Sequence, residues 1–138
     1  MDQNALKILM IDNDDVFEFI FRETLRLAHI DCDIEYKTTA NDALKYLEKS
    51  KSKDFPDMIF IDLNMPGKNG FEFLDDFAKK KLNSRGEKPF VAMISSSINE
   101  KDIKKAVSYP FVSDFLIKTI EMDYIKYLCE NRYNQVAT

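Results

Sequence analysis

The stretch MIFID at residues 58–62 is a run of four apolar residues that ends on an aspartate, and ILMID at residues 8–12 repeats the pattern near the start of the chain. Apolar runs of this length are typical of strands buried on both faces, as in a parallel sheet. The carboxyl ends of parallel strands share one edge of the sheet, where α/β proteins bind their ligands. If these two strands are neighbours, Asp12 and Asp62 converge at that edge.

Two carboxylates at close range raise each other's pKa unless a positive charge compensates. Mg²⁺ is a hard cation that proteins bind through one or two carboxylates, so it suits such an edge. A lysine would add a second positive charge, and FLIK at residues 115–118 closes the last apolar run with Lys118. The sequence therefore predicts a site that combines Asp12, Asp62 and Lys118 with Mg²⁺.

Size and composition exclude several classes of protein. A chain of 138 residues fits one domain, and its 45% hydrophobic content is typical of a globular fold. The net charge of −4 offers no basic footprint for nucleic acid. Cys32 and Cys129 lack metal-binding spacing and are predicted to be buried thiols in a reducing compartment. The sequence shows no apolar run near 18 residues and no signal-peptide pattern, which predicts a soluble, cytoplasmic protein with no membrane partner.

Strand and helix patterns alternate along the chain. Strands are predicted at residues 7–12, 32–37, 58–62, 90–94 and 112–117. Helices are predicted at residues 15–28, 39–49, 69–82, 97–107 and 121–133. Five β/α units in a row, joined by right-handed crossovers, predict a three-layer α/β/α sandwich.

Three helix starts show the spacing of a capping box, in which a polar N-cap is followed three residues later by an acid. These pairs are Asp15 with Glu18, Asn69 with Glu72, and Ser97 with Glu100. On the first helix, Phe17, Phe19 and Phe21 cannot all face one core, because alternate helix positions diverge. One of the three is predicted to be exposed.

The chemistry that the predicted edge supports is phosphoryl transfer to a carboxylate. Asp62 would be the nucleophile, a known role for aspartate, and a metal would screen the phosphoryl oxygens. Lys118 would supply a point charge, and Ser95, after the fourth strand, a hydrogen bond to the phosphoryl group. Each residue alone has a purely structural interpretation, as a helix-start acid, a turn or cap residue, or a surface lysine. Four such residues at the ends of four strands are a stronger signal than any one of them.

Four segments together resemble the receiver domain of two-component response regulators, over essentially the whole chain. The segments are ILMIDND at 8–14, IDLNMPG at 61–67 followed by Gly70, ISS at 94–96 and DFLIK at 114–118. The resemblance implies a flavodoxin-like, doubly wound, five-stranded parallel sheet with the strand order 2-1-3-4-5. It also implies a single stand-alone receiver over residues 1–138, with a core at about 6–133, that has no output domain and is not an enzyme.

The resemblance also implies roles for the acidic residues. Asp62 would accept a phosphoryl group from a phosphohistidine on a histidine kinase or a histidine phosphotransfer protein. Mg²⁺ would be held by Asp12, Asn13, Asp62 and the backbone carbonyl of Asn64. The family has a second acid where this chain has Asn13, and the amide can still ligate a hard cation although one negative charge is lost. Asp14 is a candidate to compensate.

The family's switch residues fall on Ser95 and Phe115, and its lysine falls on Lys118. A stand-alone receiver signals by binding, and the expected contact face for a downstream protein is helix four, strand five and helix five. Phe115 replaces the commoner tyrosine and is expected to be biased inward, because an apolar ring avoids water. Thr119 replaces a proline that follows a cis bond in the family, and a non-proline cis bond costs about 3–4 kcal/mol. The Lys118–Thr119 bond is therefore expected to be trans.

Other interpretations remain open from the sequence. A pseudo-receiver would use the same fold as a protein-interaction module without phosphorylation, and the departures at Asn13 and Thr119 favour it. A phosphatase of the haloacid dehalogenase type would need an aspartate where Asn64 lies, and room for a cap domain. A flavodoxin would need a phosphate-binding loop where acids follow the first strand. A lysine buried without a partner is costly, so Lys118→Ala is expected to leave thermal stability unchanged or slightly raised.

Overall fold

The computed structural model describes residues 5–84, 88–118 and 122–137. The strands are β1 (Leu6–Ile11), β2 (Cys32–Lys37), β3 (Met58–Asp62), β4 (Phe90–Ser95) and β5 (Asp114–Ile117). The helices are α1 (Asp15–Leu27), α2 (Ala40–Lys49), α3 (Gly70–Lys79), α4 (Glu100–Val107) and α5 (Met122–Ala137). Two short 3₁₀ turns, Ser52–Asp54 and Leu82–Ser84, follow α2 and α3.

The five strands form one parallel sheet in the order β2-β1-β3-β4-β5. This confirms the predicted flavodoxin-like, doubly wound sandwich. In the register of the two central strands, Ile8 pairs with Met58 and Ile11 pairs with Ile61. Asp12 and Asp62 are the next residues of their chains, so both reach the carboxyl edge of the sheet at the same level.

Alternate strand residues point to opposite faces of the sheet and build two cores. Residues such as Leu9 and Ile61 pack with α2, α3 and the end of α4. Their neighbours, such as Met10 and Phe60, pack with α1 and α5. Every residue of β3 is buried, which is the environment that its uninterrupted apolar sequence predicts.

The predicted elements exist, but their ends differ. The largest differences are at the third helix, which ends at Lys79 instead of residue 82, at β5, which begins at Asp114 instead of residue 112, and at α5, which continues to Ala137. Residue 121, the predicted start of the last helix, lies outside the described residues, as does Thr119 with its peptide bond. The bounds of β2 and β3 are as predicted.

One of the three predicted capping boxes is confirmed. The Asn69 side chain accepts from the backbone N–H of Glu72, whose side chain accepts from the Asn69 N–H. The predicted caps at Asp15 and Ser97 are wrong, because Asp14 caps α1 and Asn99 caps α4. In both cases an adjacent Asx side chain competes for the same backbone donors, and spacing alone does not decide between them.

The exposed phenylalanine of the first helix is Phe19, 61% of which is accessible to solvent. Phe17 and Phe21 lie four residues apart on the buried face, so the prediction is confirmed. Both described cysteines are free thiols. Cys129 is buried as predicted, but Cys32 is only half-buried because it begins the edge strand β2. No helix among the described residues has the length and apolar content to cross a membrane.

The start of α3 lies against the end of β3. Gly70 donates its N–H to the Leu63 carbonyl at 2.8 Å. A Cβ atom at Gly70 would lie 2.8 Å from the Asp62 carbonyl oxygen and 2.9 Å from the Leu63 Cα. Only a glycine therefore permits this approach of helix to strand at the Asp62 position.

We predict that Gly70→Ala lowers the free energy of unfolding by about 2–3 kcal/mol, because the added methyl group overlaps backbone atoms that cannot yield. Gly67→Ala is the matched control. Gly67 has a φ of 76° but open space around it, so the change should cost about 1 kcal/mol of backbone strain. Urea unfolding of the three proteins measures the difference, and an equal cost at both positions would contradict the steric account.

Candidate functional site

The four predicted site residues lie at the ends of four strands. Asp12 directly follows β1, Asp62 ends β3, Ser95 ends β4 and Lys118 directly follows β5. The Lys118 N–H donates to the Ser95 carbonyl at 2.8 Å, which fixes the start of the lysine side chain against β4. Asp12, Asp62 and Ser95 are buried, and these are the three buried polar residues of the described chain.

Lys118 brings three carboxylates together. Its Nζ lies 2.9 Å from Asp12 Oδ2, 3.4 Å from Asp14 Oδ2 and 3.7 Å from Asp62 Oδ2. The ammonium also lies 5.1 Å from the centre of the Phe17 ring, a cation–π contact from α1. Burial lowers the pKa of Lys118, but the hydrogen bond to Asp12 and the charges of the other two acids raise it further, so the net change is upward. The lysine stays charged.

Asp62 has a strongly raised pKa. Burial is the largest cause, and the negative charge of Asp12 is the next, while Lys118 acts in the opposite direction. Together they raise the pKa of Asp62 from 3.8 to about 7. The Asn64 backbone N–H donates to the Asp62 carboxylate and partly stabilises its charge. In the metal-free protein, Asp62 therefore changes protonation near neutral pH.

Asp12 has a vacant acceptor. Its Oδ1 accepts from the Asp14 N–H at 2.9 Å and from Lys118 Nζ at 3.2 Å. Its Oδ2 is close to the ammonium but accepts no well-directed hydrogen bond among the described residues. A buried carboxylate oxygen of this kind is expected to have a partner, and a hard cation is a suitable one.

The chemistry of the neighbouring residues fits Mg²⁺ in the way the sequence predicts. Asn13 and Asn64 are exposed beside the two buried acids, so their oxygens can reach a cation from the solvent side. No group of three or more His, Cys, Asp and Glu side chains in the described ranges is arranged to hold a metal. Such a cation would rest on the carboxylates of Asp12 and Asp62, oxygens of the two asparagines and water, a set that Mg²⁺ accepts.

Asp14 is engaged elsewhere. Its Oδ1 accepts from the Phe17 N–H at 3.0 Å as the N-cap of α1, and its Oδ2 faces Lys118. The hydrogen bond from Phe17 and the nearby ammonium lower the pKa of Asp14. Asp14 therefore takes part in the site through Lys118, and its position as a cap limits its use as a substitute for an acid at Asn13.

The two predicted switch residues are held in specific places. Ser95 is fully buried, and its Oγ donates to the Ser97 carbonyl at 2.9 Å and accepts from the Ser97 N–H at 3.2 Å. Its hydroxyl is thus bonded within its own turn. Phe115 is half-buried and packs against the core on the α3 side of the sheet. The ring is neither free in solvent nor fully enclosed.

The sequence analysis missed two side chains beside the site. Phe17 was assigned to the core alone, yet its ring lies beside the Lys118 ammonium. The Tyr36 hydroxyl at the end of β2 is buried without a hydrogen-bond partner among the described residues. Burial, followed by the charges of Asp12 and Asp15, raises the pKa of Tyr36 to about 12. The tyrosine at the end of an otherwise polar edge strand was the available signal.

The expectation that Lys118 would be buried without a partner is wrong. The lysine pairs with three acids from β1, the β1–α1 loop and β3, although β4 and β3 separate β5 from β1 in the sheet. Strand order alone did not reveal that a side chain from β5 reaches the end of β1.

Comparison with known proteins matches this geometry to one family. The family model described as response regulator receiver domain matches residues 8–129. The chain is 31% identical over 120 residues to the nitrate/nitrite response regulator protein NarL of Escherichia coli K12, which covers 87% of this chain and 51% of that protein. The chain therefore spans about half the length of this curated relative.

Solved structures show the same fold. A two-component response regulator from Cytophaga hutchinsonii is 30% identical with a TM-score of 0.79, covering 96% of both chains. A CheY-like response regulator receiver domain protein from Methanospirillum hungatei is 14% identical with a TM-score of 0.75 and the same coverage, which speaks for the fold alone.

We predict that Lys118→Ala destabilises the metal-free protein by about 1–3 kcal/mol, because two buried carboxylates lose their counter-charge. Adding Mg²⁺ should restore most of the loss. Lys80→Ala, which removes an exposed ion pair with Glu48, is the control and should cost about 0.5 kcal/mol or less. Thermal unfolding with EDTA and with Mg²⁺ measures both, and an unchanged or raised melting temperature of Lys118→Ala in EDTA would refute the prediction.

We predict that Asp62→Asn makes the metal-free protein more stable at neutral pH. The folded protein keeps a proton on Asp62 up to about pH 7, whereas the unfolded chain releases it near 3.8, so the free energy of unfolding falls as pH rises through this window. Asparagine cannot ionise and escapes this loss. The gain of the mutant over wild type should be absent near pH 4 and reach about 1–3 kcal/mol near pH 8.

Urea unfolding in EDTA across this pH range measures that gain. A constant difference between the two proteins at all pH values would show that Asp62 does not titrate as described.

Proposed function

Because this chain belongs to the family of response regulator receiver domains, we propose that it accepts a phosphoryl group on Asp62 from a phosphohistidine of a histidine kinase or a histidine phosphotransfer protein. The observation that carries the proposal is the position of the Asp62 carboxyl, which is buried at the carboxyl edge beside Asp12 and 3.7 Å from the Lys118 ammonium. A carboxylate with an adjacent cation is suited to accept a phosphoryl group.

The reaction would proceed by attack of an ionised Asp62 oxygen on the phosphorus atom. A P–O bond forms, the P–N bond to the histidine breaks, and its electron pair stays on the imidazole of the donor. Lys118 lowers the pKa of Asp62 and so favours the ionised form that attacks. Its ammonium would then pair with a phosphoryl oxygen, for which it already lies at the correct edge.

The metal site of the proposal consists of Asp12, Asn13, Asp62 and the backbone carbonyl of Asn64. The vacant Oδ2 of Asp12 supports this choice. When bound, Mg²⁺ would screen the negative charge of the phosphoryl oxygens. Asn13 contributes no negative charge, so the protein part of the site is one charge short of a site with two acids in this loop.

The response to phosphorylation would involve Ser95 and Phe115. The Ser95 hydroxyl would leave the Ser97 carbonyl and donate to a phosphoryl oxygen, because a charged acceptor forms the stronger hydrogen bond. Phe115 is already half-buried, so its movement into the vacated space would be smaller than that of a ring starting in solvent.

The downstream partner would be a protein that contacts α4, β5 and α5. The exposed aromatic residues of this face support the proposal, since Tyr124 and Tyr127 stack with ring centres 6.3 Å apart and Tyr127 is 60% exposed. Tyr124 also donates to Asp114 at 2.7 Å, which holds the pair against β5. As part of the same proposal, the receiver acts in the cytoplasm as a single domain that signals by binding proteins and not nucleic acid or membrane.

We predict that a small phosphodonor such as phosphoramidate, with Mg²⁺, adds one phosphoryl group to the protein and that Asp62→Asn abolishes this gain. Intact-mass spectrometry measures it directly. Asp33→Asn is the matched control, because Asp33 is an exposed acid on the edge strand β2 and its loss should leave the mass gain unchanged.

A mass gain that survives in Asp62→Asn would refute the assignment of the phosphoacceptor. A wild-type protein that gains no mass from small donors or from a phosphorylated histidine phosphotransfer protein would favour the pseudo-receiver, which binds partners without phosphorylation.

We also predict that Asn13→Asp tightens Mg²⁺ binding several-fold, because one added charge near a cation contributes about 1–2 kcal/mol after desolvation. Isothermal titration with Mg²⁺ measures the change, and Asn83→Asp, at the opposite edge of the sheet, is the control for a non-specific charge effect. Unchanged binding in Asn13→Asp would mean that Asp14 already supplies the second charge despite its role as helix cap.

A further inference from the structure

The largest cavity among the described residues lies at the amino edge of the sheet, opposite to Asp62. It has a volume of about 610 Å³, within the range of sites that hold small organic molecules. The end of α3, the starts of β4 and β5, and the loop that joins α4 to β5 form its walls, and Arg132 from α5 borders it. The proposed phosphorylation chemistry uses none of these residues.

The walls of this cavity are largely aromatic and apolar. Phe77, Phe90 and Phe111 line it, and the rings of Phe77 and Phe111 are 5.3 Å apart at an angle of 43°. Pro89 and Pro110 also line it and offer no backbone N–H to a ligand. Such a surface favours the flat, apolar body of an aromatic molecule over a sugar or another heavily hydroxylated molecule.

The charged side chains among the described lining residues are both cations, Lys88 at the exposed rim and Arg132 farther in. Arg132 also borders a smaller neighbouring cavity of about 160 Å³, whose lining adds Lys7 and Lys53 against one acid, Asp57. This edge of the protein is therefore locally positive although the whole chain is acidic. An anion would be attracted to it.

Arg132 has an unused donor. Its Nη2 donates to the Lys88 carbonyl at 2.9 Å and its Nη1 donates to Gln135 Oε1 at 3.2 Å. Its Nε is buried and has no hydrogen-bond partner among the described residues. A buried donor without a partner is rare in folded proteins and is readily satisfied by an anionic ligand.

We propose that this cavity binds a small aromatic carboxylic acid. The carboxylate pairs with the Arg132 guanidinium and takes the hydrogen bond that Nε can donate, and the ring lies among Phe77, Phe90 and Phe111. Ser113 lies in the same lining, and its Oγ accepts from the Val91 N–H at 3.3 Å, which leaves the hydroxyl proton to donate to the ligand. A carboxylate and a ring in one molecule match both features of the cavity.

The test is an NMR titration of the ¹⁵N-labelled full chain with three probes. 3-Phenylpropionate carries ring and carboxylate, 3-phenylpropan-1-ol carries the ring alone, and butyrate carries the carboxylate alone. We expect saturable shifts of the amides of Val91, Phe111 and Ser113 with 3-phenylpropionate, and binding weaker by about tenfold with either of the other probes, because each lacks one anchor.

Variants locate the anion. Arg132→Met keeps the length and apolar stem of the side chain and should weaken 3-phenylpropionate binding by about tenfold, whereas Lys88→Met at the exposed rim should weaken it by about twofold. Arg26→Met is the matched control, because Arg26 is an exposed arginine on α1 that pairs with Glu23. It should bind like wild type.

Four results would each overturn the proposal. These are the absence of saturable shifts, shifts centred away from the cavity, equal binding of the acid and the alcohol to wild type, and unchanged binding by a folded Arg132→Met. The amide spectrum of Arg132→Met reports whether it is folded, and if it is not, the three-probe comparison on wild type decides the question alone.

Discussion

The ion contacts of the Lys118 ammonium are the interaction on which the site depends. Two buried carboxylates and one half-exposed carboxylate share this single positive charge within 3.7 Å. Removing charged groups from water is costly unless they are paired, and one lysine cannot fully compensate three acids. The shortfall explains why the pKa of Asp62 stays raised and why one oxygen of Asp12 lacks a hydrogen bond. The site is incomplete in a way that a divalent cation and a phosphoryl group can complete.

The backbone makes this concentration of charge possible. Parallel pairing brings the ends of β1 and β3 to one level, and β4 holds Lys118 through the bond from its N–H to the Ser95 carbonyl. At Gly70 the first turn of α3 lies directly against the end of β3, where a side chain would not fit. The acids are thus held by main-chain contacts and not by attraction to one another, and the fold bears the electrostatic cost for the sake of the chemistry.

The residues proposed to respond to phosphorylation are already bonded in the unphosphorylated protein. Ser95 is tied to Ser97, and Phe115 is packed at the margin of the core. A response requires that each exchange one set of contacts for another, so the energy difference between the two states is a difference between similar terms. The same strands that carry Ser95 and Lys118 at one edge begin at the aromatic cavity on the other, so both regions depend on the packing of β4 and β5.

The sequence by itself determined the element order, the buried strands and the identity of the residues at the carboxyl edge. It could do so because apolar runs, helix periodicity and the polar residue that ends each run are local properties of the chain. The first helix shows the same principle, since the spacing of Phe17, Phe19 and Phe21 predicted that one ring would be exposed. Local spacing was insufficient at the helix caps, where Asp14 and Asn99 compete with equally suitable neighbours.

Only the tertiary structure decided how the edge residues interact. Lys118 reaches Asp12 across two intervening strands, the Phe17 ring lies beside the same ammonium, and the Tyr36 hydroxyl is buried near the acids. These contacts depend on side-chain paths between elements that are far apart in sequence, and no local pattern encodes them. The raised pKa of Asp62 belongs to the same class, because burial and the distance to Asp12 exist only once the sheet has formed.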